Sequence, residues 1–226
     1  MNYALEGIKG MKPFSKWTII EVEKEFQVKL QRKSNLLDDW ISPTDDCIQE
    51  LTAPLKSLQS RLIEDVYDWN EAELKIKFIG PLLDLIDFDS TTYKSFFERH
   101  LSVPYKDKKL SGDVDLIVAA GRRAPEQPYF FLHEHKKDSD SSGDPLGQLM
   151  ITMLAAQLLN QIDHPIYGSY VIGRLWYFVV LDRNEYAVSL AYDATLDRLS
   201  DIFRILKKTR AIIDELSSLH HTVESA

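Results

Sequence analysis

The sequence predicts an α/β protein: one mixed sheet flanked by helices, with an extra N-terminal segment and a closing C-terminal helix. Three observations point there. Apolar residues recur at three- and four-residue steps in four stretches, the period of a helix face. Between these lie short stretches that alternate or run continuously apolar, as strands do. The resulting order is α-α-β-β-β-α-β-β-β-α, and 226 residues that are 44% apolar suffice for one good core.

Residues 1–45 form an N-terminal extension, expected to pack on the domain formed by residues 46–226. WTIIEVEKEFQV (17–28) fits a short strand or a helix equally well, and Leu36, Leu37, Trp40 and Ile41 are packing candidates. SPTDD (42–46) supplies a loop and a helix start. From Cys47 to Trp69 a helical stripe runs through Ile48, Leu51, Leu55, Leu58, Leu62 and Val66, with Pro54 marking a first turn or a kink. In NEAELKIKFIGPLLDLIDFD (70–89), Leu74, Phe78, Leu82 and Leu85 share a face and Pro81 marks a kink. Residues 95–103 read as a strand with Phe97, Leu101 and Val103 inward. VDLIVAA (114–120), the turn GRRAPEQP and YFFLHEHKK (129–137) read as a hairpin. The polar loop DSDSSGDP precedes a helix, PLGQLMITMLAAQLLNQ. IYGSYVIG, LWYFVVLD and EYAVSLAYD form a strand meander. Residues 195–220 close the chain as a helix bearing Leu196, Leu199, Ile202, Phe203, Leu206, Ile212, Ile213 and Leu216.

Composition removes several classes. Nine glycines and nine prolines without a repeat argue against collagen, repeat arrays and disorder. No apolar run nears the ~18 residues of a membrane span, and MNYALEGIKGMK lacks a signal-peptide core, so a cytoplasmic protein without membrane contact is expected. One cysteine, Cys47, allows no internal disulfide, and no Cys/His spacing suits structural zinc. A net charge of −8 weighs against a generic nucleic-acid binder, although Lys106, Lys108, Lys109, Arg122 and Arg123 make local basic clusters.

The chemistry concentrates in HEHKK. Strand side chains alternate, so Glu134 and Lys136 point one way and His133, His135 and Lys137 the other. In the preceding strand Asp113 and Asp115 share a face, and the hairpin can bring Asp115 to Glu134 and Lys136. Two carboxylates beside an ammonium make a hard-oxygen site suited to magnesium, with manganese as a substitute. HEHKK lacks the second histidine of a zinc HExxH helix. DSDSSGD starts like a calcium loop but has Leu149 where a bidentate Glu is required. Glu71 precedes Leu74, Phe78, Leu82 and Leu85 by 3, 7, 11 and 14 residues and continues their face, whereas Glu73 has a surface partner at Lys77. Glu71 is therefore the helix carboxylate chosen, with Glu73 in reserve.

An Asp on an apolar strand, a hairpin, and Glu-x-Lys at the end of a second apolar strand resembles the PD-(D/E)xK nuclease superfamily, the restriction-endonuclease-like fold. The elements here are VDLIV (Asp115) and FFLHEHK (Glu134, Lys136). NEAELKIKFIGPLL is similar to the family's preceding helix, Gln148 in DPLGQLM to a glutamine opening the next helix in nuclease domains of type I restriction enzymes, and IYGSYVIGRLWYFVVL to the later strands. The likeness spans roughly residues 65–190; Val114 stands where many members have Pro, and His135 fills a position often small or hydrophobic. The resemblance implies magnesium-dependent hydrolysis of phosphodiester bonds in nucleic acid, DNA first, in defence or repair. Asp115, Glu134 and Glu71 would hold the metal, Lys136 would activate water, and Gln148 would bond the phosphate backbone or orient Lys136. The alternative is an inactive nucleic-acid- or protein-binding module of the same fold. Residues 1–45 and the C-terminal helix are the surfaces for a homodimer or docked partner.

Overall fold

The structure, a computed structural model, describes residues 12–42, 52–136, 143–160 and 164–224. Cys47, Ile48 and Leu51 of the first stripe, Lys137 and most of the DSDSSGDP loop lie outside the described residues. Among the described residues no helix is long and apolar enough to cross a membrane.

The ambiguous stretch 17–28 is settled by a capping box. The Thr18 hydroxyl accepts the Glu21 N–H while the Glu21 carboxylate accepts the Thr18 N–H, and helix α1 (Ile19–Phe26) follows. Next come β1 (Lys29–Leu30), α2 (Asn35–Ile41) and α3 (Ala53–Asp65), with Pro54 in the first turn of α3. The second predicted helix is α4 (Glu71–Leu74), a π turn (Lys75–Ile79) and α5 (Gly80–Ile86), with Pro81 in the first turn of α5. The π turn adds a residue and rotates the stripe. Leu83 and Ile86 are buried, and Leu85, expected inward, is 38% exposed.

β2 (Lys94–Tyr105), β3 (Lys108–Ala120) and β4 (Glu126–Lys136) pair antiparallel. Helix α6 (Pro145–Leu159) then crosses over to β5 (Ile166–Ile172), which lies parallel to β4. β6 (Leu175–Asp182), β7 (Glu185–Val188) and the short β8 (Tyr192–Asp193) complete the meander. Helix α7 spans Leu199–Glu224, leaving Leu196 outside it and 60% exposed rather than in its stripe. The eight strands form one mixed sheet ordered β1-β7-β6-β5-β4-β3-β2, with β8 beside β6.

The sheet separates two cores. On one side α2, α3, α5 and α7 pack against Leu116, Val118 and Phe131; on the other α6 packs against Ile117, Leu132 and Ile166. The ten residues 147–156 of α6 are all buried, so this helix needs cover on its outer side as well as from the sheet. Phe14, Trp17 and Val22 belong to the same core and provide that cover. The approach is close: a Cβ on Gly147 would stand 2.5 Å from the carbonyl oxygen of Trp17 and 2.6 Å from Thr18 and Ile19 backbone atoms. Asp144 ties the two segments together, accepting the Gly147 N–H at 3.0 Å as N-cap of α6 and the Ile19 N–H at 2.6 Å. Gly147→Ala is expected to cost about 1–3 kcal/mol by forcing backbone apart; an unchanged urea midpoint would refute this close packing.

One irregularity positions the site. The β2–β3 ladder runs from Lys94↔Ala119 to Tyr105↔Lys108 but omits the pair Glu98–Asp115. Glu98 has φ 51°, left-handed backbone uncommon for a residue with a side chain. Alternation slips there: Phe96 and Leu101 face α6 although five residues apart, as do Val114 and Ile117 although three apart. Phe97, expected inward, is left 41% exposed.

Candidate functional site

The β3–β4 ladder stops at Leu116↔His133. Past that point the backbone N–H of His135 needs another acceptor, and Asp115 Oδ2 provides it at 2.9 Å. The His135 ring Nδ1 stands 3.0 Å from the same oxygen, in ion-pair range without hydrogen-bond alignment. Burial alone would raise the Asp115 carboxyl, but the His135 contacts outweigh it and hold it below the usual carboxylate range.

Glu134 pairs through its backbone with Tyr170 of β5 and turns its side chain to the α6 side, as alternation requires. It is 1% exposed. Gln148, in the first turn of α6, donates Nε2–H to Oε2 at 2.7 Å, while Oε1 is closed from solvent and has no partner. Burial, then the neighbouring charge of Asp115, push the Glu134 carboxyl well above its ordinary value, with Lys136 opposing. A carboxyl raised in this way keeps its proton until a cation offsets the charge.

Lys136, on the same side of β4, brings Nζ to 3.6 Å from Glu71 Oε1 at the start of α4. Glu71 thus joins the site through Lys136, and its side chain is 38% exposed rather than buried in the stripe. Glu73 is committed elsewhere: it closes a capping box with Asn70 and pairs with Lys77 at 3.0 Å, as its spacing predicted. Lys75 of the same helix pairs with Glu98, opposite Asp115. His133 turns to the other face, with Nδ1 2.7 Å from Ser169 Oγ and its ring 5.3 Å from that of Trp176. Burial and the neighbouring His135 push it down to about 3, so it stays neutral.

The five residues singled out in the sequence fall into two sets, Glu134 with Gln148 and Asp115, and Lys136 with Glu71, and the charges of Lys136 and Glu71 also act on Glu134. His135 was missed as a member. Alternation sends its ring away from Glu134, and only the end of the ladder reveals that Asp115 turns to meet it. Asp113 is separate, its side chain 79% exposed and 2.9 Å from His100. Among the described residues no three His, Cys, Asp or Glu side chains converge on one point. The donor set is instead two carboxylates, one with an unpartnered buried oxygen. Magnesium commonly takes one or two carboxylates and completes its shell with water and phosphate oxygens, so these residues fit it.

Cavities open on either side of Gln148. One of about 280 Å³ is lined by Lys136, Lys16 and Trp17; the other, about 480 Å³, by Asp115, Phe14 and His100. Ser15 borders both, so the N-terminal segment forms a rim of the site. No protein-family model matches the chain, and no curated protein matches it.

Proposed function

We propose that this protein is a divalent-metal-dependent nuclease of the restriction-endonuclease-like class, hydrolysing phosphodiester bonds in DNA. The observation that carries the reading is the buried Glu134–Asp115 pair with its unpartnered Oε1, set beside the ammonium of Lys136. A structural carboxylate pair would have each oxygen satisfied or exposed; an orphaned buried oxygen next to a second carboxylate is costly unless a cation completes it.

Asp115 and Glu134 would hold the metal, with Glu71 at the margin. The bound ion supplies Lewis-acid polarisation of the phosphate and a water of lowered pKa. Gln148 fixes Glu134 through Oε2 and leaves Oε1 free to ligate. His135 fixes Asp115 through Oδ2 in the same way, as partners of metal-bound carboxylates do. Lys136, steadied by Glu71, donates to the attacking water and offsets negative charge developing on the phosphate.

Supercoiled plasmid DNA is the direct test. Nicking or linearisation is expected with magnesium or manganese and none with EDTA. Calorimetry is expected to find magnesium binding that Glu134→Ala abolishes. Cleavage persisting in EDTA would sink the reading. Magnesium affinity unchanged by Glu134→Ala, without cleavage, would leave a binding module of this fold.

A further inference from the structure

We propose that the larger cavity binds a second phosphate of the substrate strand, beside the scissile one, through His100 and Ser111; this rests on the nuclease reading. The cavity of about 480 Å³ has Asp115 on one wall and His100, Ser111 and Asp113 on another. His100 Nδ1 lies 2.9 Å from Asp113 Oδ1, and Nε2 lies 2.8 Å from Ser111 Oγ. Its side chain is 59% exposed, yet both ring nitrogens are held. A histidine that open to water ordinarily keeps its rotamer freedom. Here that freedom is lost before any ligand arrives, which is the condition for a preorganised contact.

The order Ser–His–Asp is that of a hydrolytic triad. Asp113, however, is 79% exposed, so water screens the charge that a triad keeps buried beside its imidazole. The network suits an anion better. Asp113 is an acceptor, so Nδ1 carries a proton. When Nε2 is protonated too, it donates to Ser111 Oγ, and the hydroxyl proton is released to meet another acceptor. An anion in the cavity then finds an imidazolium and an O–H donor together. The charged groups around it are Asp113 on the paired strand and Asp115 across the cavity, the latter destined for the metal.

The spacing agrees. Asp113, which holds His100, stands two residues from Asp115 along β3, about 7 Å at the rise of a strand. Each nucleotide carries one phosphate charge, and the sugar–phosphate backbone separates neighbouring phosphorus atoms in space on this scale. A strand whose scissile phosphate sits at Asp115 and Glu134 would therefore bring the next one to His100.

The test uses the full-length protein at pH 6 in EDTA, where cleavage cannot intervene, and reads the anisotropy of a short fluorescein-labelled DNA. His100→Gln keeps a donor for Asp113 but loses the cation. It is expected to weaken binding about tenfold, the scale of removing one cation from beside a phosphate. The slope of affinity against salt is expected to fall by about 0.7–0.9, as for one lost phosphate contact. His100→Arg is expected to bind within about twofold of wild type, since it restores a fixed cation to the phosphate. An unchanged thermal midpoint for His100→Gln excludes misfolding. If His100→Gln matches wild type in affinity and slope while wild type cuts DNA with magnesium, the subsite falls and the nuclease reading stands. If wild type neither binds nor cuts DNA, both fall.

Discussion

Lys136→Ala is expected to lower single-turnover DNA cleavage by about 10²–10⁴-fold while leaving magnesium affinity within about twofold of wild type. The range is that of losing one proton-transfer or charge-stabilising group. The side chain acts on water and phosphate rather than on the metal, which separates the two readouts. Its place is rigid: the Lys136 carbonyl accepts the Gly173 N–H at 2.8 Å, and β4 is paired with β5 up to this residue. Lys136→Arg keeps the charge but spreads it over a planar fork that matches a phosphate, not a single water, so partial activity is expected. Stopped quench measurements at saturating magnesium decide the matter. A rate unchanged in Lys136→Ala would end the mechanism even if metal binding were intact.

Metal-free Glu134→Gln is expected to be more stable than wild type at pH 8, by about 1–3 kcal/mol, the scale of relieving a buried unsatisfied polar group. The sign follows from the raised Glu134 carboxyl. Below about pH 4.3 the group is protonated in folded and unfolded chains alike and contributes no difference. As pH rises past that value the unfolded chain releases its proton while the folded chain keeps it, so stability falls until the folded carboxyl also ionises. Asp115 runs the other way, its contribution present above the ordinary carboxylate range and lost as the solution becomes acidic. An amide at position 134 still accepts from Gln148 and turns a neutral N–H, rather than a second carboxylate oxygen, toward the charge of Asp115. Magnesium should reverse the ranking, stabilising wild type and leaving Glu134→Gln unmoved. Thermal melts across pH 5–8, with magnesium and with EDTA, read both effects. A variant less stable than wild type in EDTA, or one stabilised by magnesium to the same extent, would show that the pair is an ordinary structural contact.

Much of the candidate site was legible because strands have a period of two. Asp115 and Glu134 meet because their strands are adjacent and antiparallel, and Gln148 meets Glu134 because α6 begins beside the same strand end. Glu73 could be set aside from its i+4 partner alone. What alternation missed has one physical origin, the slip at Glu98 and Asp115. A left-handed residue with a side chain leaves no pattern in apolar spacing, so Phe97 was assigned inward and the contact of His135 with Asp115 went unseen. The π turn misled in the same way, shifting the buried face from Leu85 to Leu83 and Ile86. The role of residues 12–42 was illegible for a different reason: Ile19 bonds Asp144, Gln31 bonds Glu185 and Trp40 bonds Thr209, across 125, 154 and 169 residues. No local window contains both partners.

Those long spans bear on how the chain is made. At roughly 5–20 residues per second on a ribosome, Trp40 waits on the order of 10–30 s for Thr209 to emerge. Through that interval Trp40 lacks the α7 surface that buries it, and α6, already beside β3 and β4, gains the rest of its sheet only after β5 and β6 follow it. Trp40 is thus made well before the helix that buries it. A buried indole whose hydrogen-bond partner lies 169 residues away ties the closing of this core to the arrival of α7.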